Sequence, residues 1–437
     1  MSAFQSLPPE VLSDIFLRSL PDPSQTNFKL DLPPWTIARV CRKWRYVCLS
    51  TPRLWLHIPA IFLNHEHKPG FFELLKIMMK LSFPYNLHLR IRDTNSEKIQ
   101  HFENILPRID SLSFYANLPM IEALAQRKQS FNHLKYAGIS FDMGTSSQVP
   151  PRLDFLAEVN TLHLCYHPLD LASDTTPYAL LRSVDLQLTT FGGLNLPIIY
   201  LQKFLSAAPL LQKVTMAHLH DGTTIDSVIT GPPPTSILRH TNLKILILIS
   251  DGFPSYHELN YLCLPKLQRL YLGSCESGYT AVLPFFAQTQ GSILKLHLTK
   301  QLDLPGHQRT WYSLCPHVEE LSLSYAGAED LKNLTITTGS RLCPALRHLS
   351  MPGFTLDDDT GAQILEEFLS SRGLVPFSAL EFPPDCRRLE SVEICTSDDN
   401  TLSIFQRMCL KIDDRVRETI KALENNVRPW ISIPALQ

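Results

Sequence analysis

The stretch Pro265-Lys266-Leu267-Gln268-Arg269-Leu270-Tyr271-Leu272 decides how most of this chain folds. Its spacing, P-x-L-x-x-L-x-L, returns with other apolar residues at some leucine positions in residues 209–216, 316–323 and 344–351. Copies without the proline lie at 159–164, 181–188, 243–248, 293–298 and 389–394, and looser copies at 85–91 and 109–114. Most neighbouring copies lie 22 to 32 residues apart. A period of this length indicates a repeat array in which each copy is one structural unit.

The alternating apolar residues of each copy predict a β-strand, because strand side chains point to opposite faces in turn. Helical patterns at 97–106, 199–208 and 360–371 predict helical returns between strands. One unit alone would leave its apolar face in water, and stacking on a neighbour buries that face. The sequence therefore predicts an α/β array over residues 56–397, with an insertion at about 352–388, that begins without a linker at Leu54-Trp55-Leu56-His57-Ile58.

The spacing resembles that of leucine-rich repeats in a degenerate form, since the asparagine of regular repeats is missing. The resemblance implies a curved solenoid, with parallel strands on its concave face and helices on its convex face. An amphipathic segment at 411–425, within a predicted C-terminal helical cap at 398–437, is expected to cover the open end.

Two apolar helices are predicted before the array. Leu7-Pro8-Pro9-Glu10 opens the first, because proline fits the first helical turn and an acid is favourable there. Its apolar face holds Val11, Leu12, Ile15 and Phe16, and Leu20-Pro21 ends it. The second helix is expected to run from Trp35 to about Cys48, with one stripe of apolar residues. That stripe consists of Ile37, Val40, Cys41, Trp44, Val47 and Cys48.

This opening segment is too short to bury its own apolar residues, because modules below about 60 residues remove little surface from water. Surplus apolar surface usually marks a site for a partner. An N-terminal cap on the array is the structural alternative. A DNA-binding helix-turn-helix is disfavoured, because tryptophan interrupts the cations of the second helix and no second basic face is present.

Residues 1–55 resemble an F-box, in the version common in fungal proteins, through L-P-P-E-V-L-x-x-I-F, A-R-V-C-R-K-W-R and S-T-P-R-L-W. The resemblance implies docking onto the Skp-type adaptor of a cullin–RING ubiquitin ligase. The segment 22–34 is longer than in compact F-boxes. The matching positions, expected to bind the adaptor, are Leu7, Pro8, Pro9, Glu10, Leu12, Ile15, Phe16, Val40, Cys41, Trp44, Leu54 and Trp55.

Target binding is expected on the polar positions of the strands, where solenoids commonly hold partners. These positions are Asp185, Gln187, Gln268, Arg269, Tyr271, His297, Ser324 and His348, with His163 and Ser322 beside them. Tyr271 is the best single anchor, because aromatic residues dominate interface energetics. For each residue, the alternative is a solvated strand position with no partner.

Composition narrows the function classes. A net charge of −2 and a pI near 6.8 disfavour a nucleic-acid binder or a polybasic membrane anchor. The ten cysteines form no C-x-x-C pair, and no secretory signal precedes them. We therefore expect buried thiols in a reducing compartment, either cytoplasmic or nuclear.

Motifs for bond chemistry are missing from the sequence. It contains no G-x-G-x-x-G, no G-x-x-x-x-G-K-[ST], no G-x-S-x-G and no H-E-x-x-H. His65-Glu66-His67 and His218-x-His220-Asp221 are the best metal candidates, and solvated loops are the more ordinary explanation of both. We therefore expect no catalytic residue, cofactor or metal.

The leading hypothesis is a non-catalytic substrate receptor of an SCF-type ubiquitin ligase, with the F-box on the adaptor and the solenoid on an unidentified target protein. The alternative is an F-box scaffold that binds the adaptor without promoting degradation. A hydrolase or transferase within the array is a third class, which converging His and Asp or Glu side chains would support.

Overall fold

A computed structural model gives the fold for much of the chain. It describes residues 6–20, 32–56, 71–91, 99–100, 102–141, 153–165, 178–190, 199–220, 236–250, 257–273, 282–289, 292–299, 307–337, 341–354, 359–373, 385–395 and 430–434. The chain divides into two compact units. The first unit comprises Met1–Thr189 and Ala207–Leu210, and the second comprises Thr190–Ser206 and Leu211–Gln437. The first unit thus includes residues from both the predicted 1–55 and 56–397 domains.

The first unit begins with helices. They are α1 (Pro9–Arg18), α2 (Trp35–Val40), α3 (Arg42–Leu49), a 3-10 helix (Pro52–Trp55) and α4 (Phe71–Leu81). Proline opens α1, Glu10 lies in its first turn and Arg18 in its last, so both charges complement the helix dipole. Leu54 and Trp55, predicted to begin the array, belong to the 3-10 helix rather than to a strand.

The prediction of one helix from Trp35 to Cys48 is wrong, because the chain breaks it at Cys41. Cys41 has an extended backbone (φ −158°, ψ 173°) between α2 and α3. The break releases carbonyl groups at the end of α2, and the Arg45 side chain donates from Nε to the Ala38 carbonyl over 3.0 Å. As a consequence Val40, which a continuous stripe would bury, is 59% exposed.

Within the described residues, the first unit continues with five parallel strands, each paired with the next along the chain. They are β1 (Leu87–Ile91), β2 (Ile109–Ala116), β3 (Tyr136–Phe141), β4 (Thr161–Cys165) and β5 (Ser183–Thr190). The register aligns one fully buried row across them: Leu89, Leu112, Ala137, Leu162 and Val184. The alternation predicted from the repeats is therefore confirmed.

The returns of the first unit are short. Helix α5 (Leu118–Ala125) follows β2, and the Asn117 side chain caps it by accepting from the Met120 amide over 3.0 Å. The remaining described returns are 3-10 turns at Leu106–Arg108, Lys128–Ser130 and Asp154–Leu156. The helix predicted at 97–106 is wrong in its described part, which forms 3-10 turns that lead to Pro107.

The described part of the second unit repeats the pattern with parallel strands. They are β6 (Lys213–His220), β8 (Ile245–Ser250), β10 (Arg269–Leu272), β11 (Lys295–Thr299), β12 (Glu320–Ser324), β13 (His348–Pro352) and β14 (Ser391–Cys395). Each of these strands pairs with the next one in this series. The strand β15 (Trp430–Pro434) closes this series antiparallel to β14. Two short strands, β7 (Leu238–Arg239) and β9 (Leu262–Cys263), form a separate parallel pair. One buried row again crosses the seven strands: Val214, Leu246, Leu270, Leu296, Leu321, Leu349 and Val392.

Helices connect many of these strands. They are α6 (Ile199–Ala207), α7 (Leu283–Thr289), α8 (His307–Ser313), α9 (Ala328–Leu334) and α10 (Asp359–Ser371), with a 3-10 helix at His257–Tyr261. The helices predicted at 199–208 and 360–371 are confirmed by α6 and α10. The amphipathic segment at 411–425 lies outside the described residues, and the one described part of the predicted helical cap at 398–437 is the strand β15, so the prediction of helix is wrong there. The fold is thus a mixed α/β one, in which parallel strands predominate.

Arg372, just after α10, is a fully buried cation that joins three segments. Its guanidinium donates to the Leu334 carbonyl over 2.6 and 3.0 Å, to Leu342 over 2.7 Å and to Cys343 over 3.0 Å. Burial lowers the pKa of this side chain.

Among the described residues, no helix has both the length and the apolar character needed to cross a membrane.

Arg372→Leu should lower the free energy of unfolding by about 3 kcal/mol, because an unsatisfied buried carbonyl costs about 1–3 kcal/mol. The control is Arg387→Ala, which removes an exposed ion pair with Glu319 and should cost less than about 1 kcal/mol. Urea denaturation measures both, and equal effects would contradict the assigned role of Arg372.

Candidate functional site

The N-terminal helices enclose a small apolar core. Phe16 packs on Trp44 with ring centroids 5.0 Å apart, and Trp35 meets Trp55 edge-on at 5.0 Å. The Trp55 indole donates to the Cys48 carbonyl over 2.9 Å, so its one polar atom is satisfied inside the core. The buried members of this core are Leu12, Phe16, Ile37, Val47, Cys48, Leu54, Trp55 and Met78.

Met78 shows that the segment 1–55 does not close by itself. This residue belongs to α4, and Leu81 of the same helix also packs against the core. The apolar surplus predicted for the first 55 residues is therefore partly covered by the chain itself. We name residues 6–20, 32–56 and 71–82 the N-terminal module.

Polar contacts fix the helices of the N-terminal module against each other. Lys43 donates from Nζ to the Leu7 carbonyl over 2.7 Å. Thr51 Oγ1 donates to the Val47 carbonyl over 2.7 Å and lies 3.3 Å from Ser13 Oγ, whose hydroxyl can donate to it. These bonds join α1 to α3 and to the turn after it, so the exposed side chains of both helices are held in fixed positions.

Several large apolar side chains of the module stay in contact with water. We name them the exposed apolar set: Val11 (43% exposed), Ile15 (40%), Val40 (59%), Tyr46 (69%) and Leu49 (46%). Val11 and Ile15 lie one helical turn apart on α1, and Tyr46 and Leu49 do so on α3. The exposed side chains Arg39, Arg42 and Arg45 lie among them on α2 and α3. A partner for this surface would combine apolar contacts with acidic groups.

The structure separates the predicted adaptor-binding residues into two groups. Leu12, Phe16, Leu54 and Trp55 are at most 2% exposed and cannot touch a partner without unfolding, so a contact role for them is wrong. The others remain accessible in part or in full: Leu7, Pro8, Pro9, Glu10, Ile15, Val40, Cys41 and Trp44. Val11, Tyr46 and Leu49 are exposed on the same module but are not among the predicted residues. The available signal was their spacing, since Val11 lies four residues before Ile15, and Tyr46 and Leu49 follow Arg42 and Arg45 on one helix.

The outer face of the first unit's sheet, opposite its buried rows, carries polar side chains. The register places His163 of β4 beside Asp185 of β5, and His163 Nδ1 lies 3.1 Å from Asp185 Oδ2. The predicted outward positions of both residues are confirmed. The Gln187 side chain lies outside the described ones.

The outer face of the second unit's sheet has an aromatic centre. Tyr271 stacks on His297 with ring centroids 4.0 Å apart and planes 10° from parallel, and Tyr271 Oη lies 3.3 Å from Thr299 Oγ1. The register places Ile247 beside Tyr271, and Ile249 on the same strand is 38% exposed. Burial lowers the pKa of His297 to about 4. This face therefore presents a neutral, partly apolar patch at neutral pH.

One ion pair lies beside this patch, between Lys295 of β11 and Glu320 of β12. Farther along the sheet, Arg347 forms an ion pair with Glu390. His348 Nδ1 lies 2.9 Å from Ser391 Oγ, so this predicted residue is already engaged.

The other predicted residues of this face differ in position. Arg269 begins β10 and is exposed, and Ser324 is half-buried at the end of β12. Gln268 lies before β10, so its predicted place among the outward strand positions is wrong.

Metal binding has no support in the described part of the chain. No group of three His, Cys, Asp or Glu side chains there could hold a metal ion. The candidate His65-Glu66-His67 lies outside the described residues. So does Asp221, and the side chains of His218 and His220 are not among those described.

No protein-family model matches this chain, and no curated protein matches it.

Phe16 and Ile15 are adjacent in sequence but should differ sharply in their effect on stability. Phe16→Ala should lower the free energy of unfolding by about 3 to 5 kcal/mol, since it empties a buried aromatic site. Ile15→Asp should change it by less than about 1 kcal/mol, since the side chain is exposed. Chemical denaturation of the two variants checks this, and a comparable loss in both would contradict the assigned faces of α1.

His297 should titrate far below an ordinary histidine. Because its pKa falls from 6.5 to about 4 on folding, its contribution to stability is complete above pH 6.5 and is lost as the pH falls toward 4. An NMR titration of the His297 ring, assigned with His297→Gln, measures the value. Tyr271→Ser should move the pKa back toward 6.5 by admitting water. A wild-type midpoint near 6.5 would rule out the burial described here.

Proposed function

We propose that this chain is an F-box-type adaptor, whose N-terminal module binds the Skp-type adaptor of a cullin–RING ubiquitin ligase and whose strand array holds a target protein. The observation that carries the proposal is the exposed apolar set. The module completes its own core with α4, yet Val11, Ile15, Val40, Tyr46 and Leu49 remain 40–69% exposed. Exposed apolar residues grouped on a small module favour a protein partner.

The charge pattern of the module supports a protein partner of defined character. Residues 35–49 contain Arg39, Arg42, Lys43 and Arg45 and no acidic residue. On α1, by contrast, Arg18 already pairs with Asp14 at 3.1 Å. The cations of α2 and α3 would steer an acidic partner toward the apolar residues and set its orientation.

The array is proposed to be a leucine-rich-repeat-like solenoid with its strands on the concave face. Its target surface in the second unit would centre on Tyr271, His297 and Ile247. A stacked aromatic pair beside branched apolar residues loses little side-chain entropy when it is covered, and Tyr is enriched at interface hot spots. The neighbouring ion pair of Lys295 with Glu320 would form part of the polar rim of that interface.

The proposed contribution to ubiquitin transfer is proximity rather than bond chemistry. A chain that holds the ligase at one end and a target at the other raises the effective concentration of an acceptor lysine near activated ubiquitin. This role places the protein in the cytoplasm, the nucleus or both.

Ile15→Asp and Val40→Asp should each weaken binding of the Skp-type adaptor about thirtyfold or more, because truncating an interface hot spot costs at least about 2 kcal/mol. Co-purification and calorimetry with the recombinant adaptor measure this. The matched control is Ile237→Asp, which alters a residue that is 57% exposed in the second unit and should leave affinity unchanged.

Adaptor binding that survives both module variants would contradict the proposal, as would a wild-type chain that does not bind. If the adaptor binds, the half-life of captured target proteins with and without this chain separates a degradation receptor from a scaffold. An unchanged half-life would assign the scaffold role.

A further inference from the structure

Three side chains on the outer face of the first unit's sheet form a connected series. Cys165 and His163 lie two residues apart on β4, and Asp185 lies beside His163 on β5. Cys165 Sγ is 3.1 Å from His163 Nε2, and His163 Nδ1 is 3.1 Å from Asp185 Oδ2. Two rigid neighbouring strands thus align a thiol, an imidazole and a carboxylate.

The carboxylate determines the direction of the hydrogen bonds. An ionised Asp185 can only accept, so His163 Nδ1 must donate to it. The lone pair of Nε2 then faces the thiol of Cys165 and can accept its proton. This is the order of groups that activates a side-chain nucleophile: nucleophile, base and a residue that orients the base.

The surroundings of the series are polar and crowded. The Ser140 hydroxyl hydrogen-bonds the Cys165 thiol, and the register places the two residues side by side. Asp185 Oδ1 is buried and has no hydrogen-bond partner within the described part of the chain. A buried carboxylate oxygen without a partner is costly and needs an explanation other than stability.

Tyr136 and Gly138 border the same site. The Tyr136 phenol hydrogen-bonds Ser113 and leans across Gly138, where an added Cβ would lie 3.2 Å from its Oη and 3.0 Å from Ser113 Oγ. The register places Gly138 between Ser113 and His163. The missing side chain at position 138 therefore leaves room for the Tyr136 phenol and the Ser113 hydroxyl beside His163.

Metal binding explains the series less well. Both ring nitrogens of His163 already point at neighbours on opposite sides, so Cys165 and Asp185 do not converge on one point with it. The absence of any three-residue metal group among the described side chains agrees with this geometry.

We propose that Cys165 is an acyl-accepting nucleophile, with His163 as its base and Asp185 as a positioning residue, and that it takes a small acyl group from an activated ester or thioester. The sulfur attacks the carbonyl carbon and forms a carbon–sulfur bond, while its proton passes to His163 Nε2. The bond to the alcohol or thiol leaving group then breaks, and that group receives the proton from His163. The product is S-acylated Cys165 and a free alcohol or thiol.

Two further observations define the chemistry. Burial first, and then the charge of Asp185, raise the pKa of the Cys165 thiol, so it is protonated at neutral pH and needs a base in order to react. Cys165 is only 8% exposed, which limits the acyl group to a small one. This inference concerns the first unit's sheet and does not depend on the proposed adaptor function.

The test uses the full chain with p-nitrophenyl acetate, and peptide mass spectrometry measures the rate of S-acetylation at each cysteine. Cys41 and Cys263 are the internal controls, because both are free and more exposed than Cys165. Cys165 should react at least about tenfold faster than either control in the folded chain. In guanidinium the three rates should become similar, which separates the effect of the fold from that of local sequence.

Variants of the two partners test their roles. His163→Gln should slow acetylation of Cys165 about 100-fold, the low end of what a positioned base contributes, and leave Cys41 and Cys263 unchanged. Asp185→Asn should slow it less, and Asp185→Glu should restore part of the rate. A folded wild-type chain in which Cys165 reacts no faster than the controls would overturn the proposal, as would a His163→Gln chain with the wild-type rate at Cys165.

Discussion

The fold depends on the contact between the apolar row of one strand and that of the next. Each of the described parallel strands β1–β6, β8 and β10–β14 carries two or three buried apolar side chains, and each buried leucine contributes about 1.5 to 3 kcal/mol only while its neighbours cover it. Leu162 illustrates this, since Ala137 and Val184 flank it on β3 and β5. A single repeat removed from its neighbours would lose much of this stabilisation, so each unit is expected to fold cooperatively over several repeats.

The same need for cover shapes the N-terminal module. Its short helices cannot bury Trp55 and Leu54 alone, and Met78 of α4 supplies the missing contact. The helix break at Cys41 then leaves Val40 outside the core, next to the exposed arginines of α2 and α3. The core of the module is therefore completed by residues of the same chain, while several large apolar side chains remain exposed to water. This combination supports the proposal that a partner protein binds the module.

The sequence predicted much of the fold because its strongest signal, the alternation in L-x-L, acts within one strand. That parity correctly places His163, Asp185, Tyr271 and His297 on the outer face. It carries no information on the register between neighbouring strands or on side-chain contacts across them, so neither the Tyr271–His297 stack nor the link from Cys165 through His163 to Asp185 was predicted. The sequence also did not distinguish the buried Phe16 from the exposed Ile15. Leu12 with Phe16 and Val11 with Ile15 are both apolar pairs spaced by four residues on α1, and only the packing of Trp44 on Phe16 shows which pair faces the core.

Hydrogen–deuterium exchange of the full chain, with and without a recombinant Skp-type adaptor, tests the central claim most directly, because it locates the contact without any substitution. The account predicts that protection gained on binding is confined to α1, α2 and α3, at residues 9–18 and 35–49, with the strands of the second unit unchanged. Saturating adaptor that protects none of these residues, or that protects only the strands of the second unit, would contradict it.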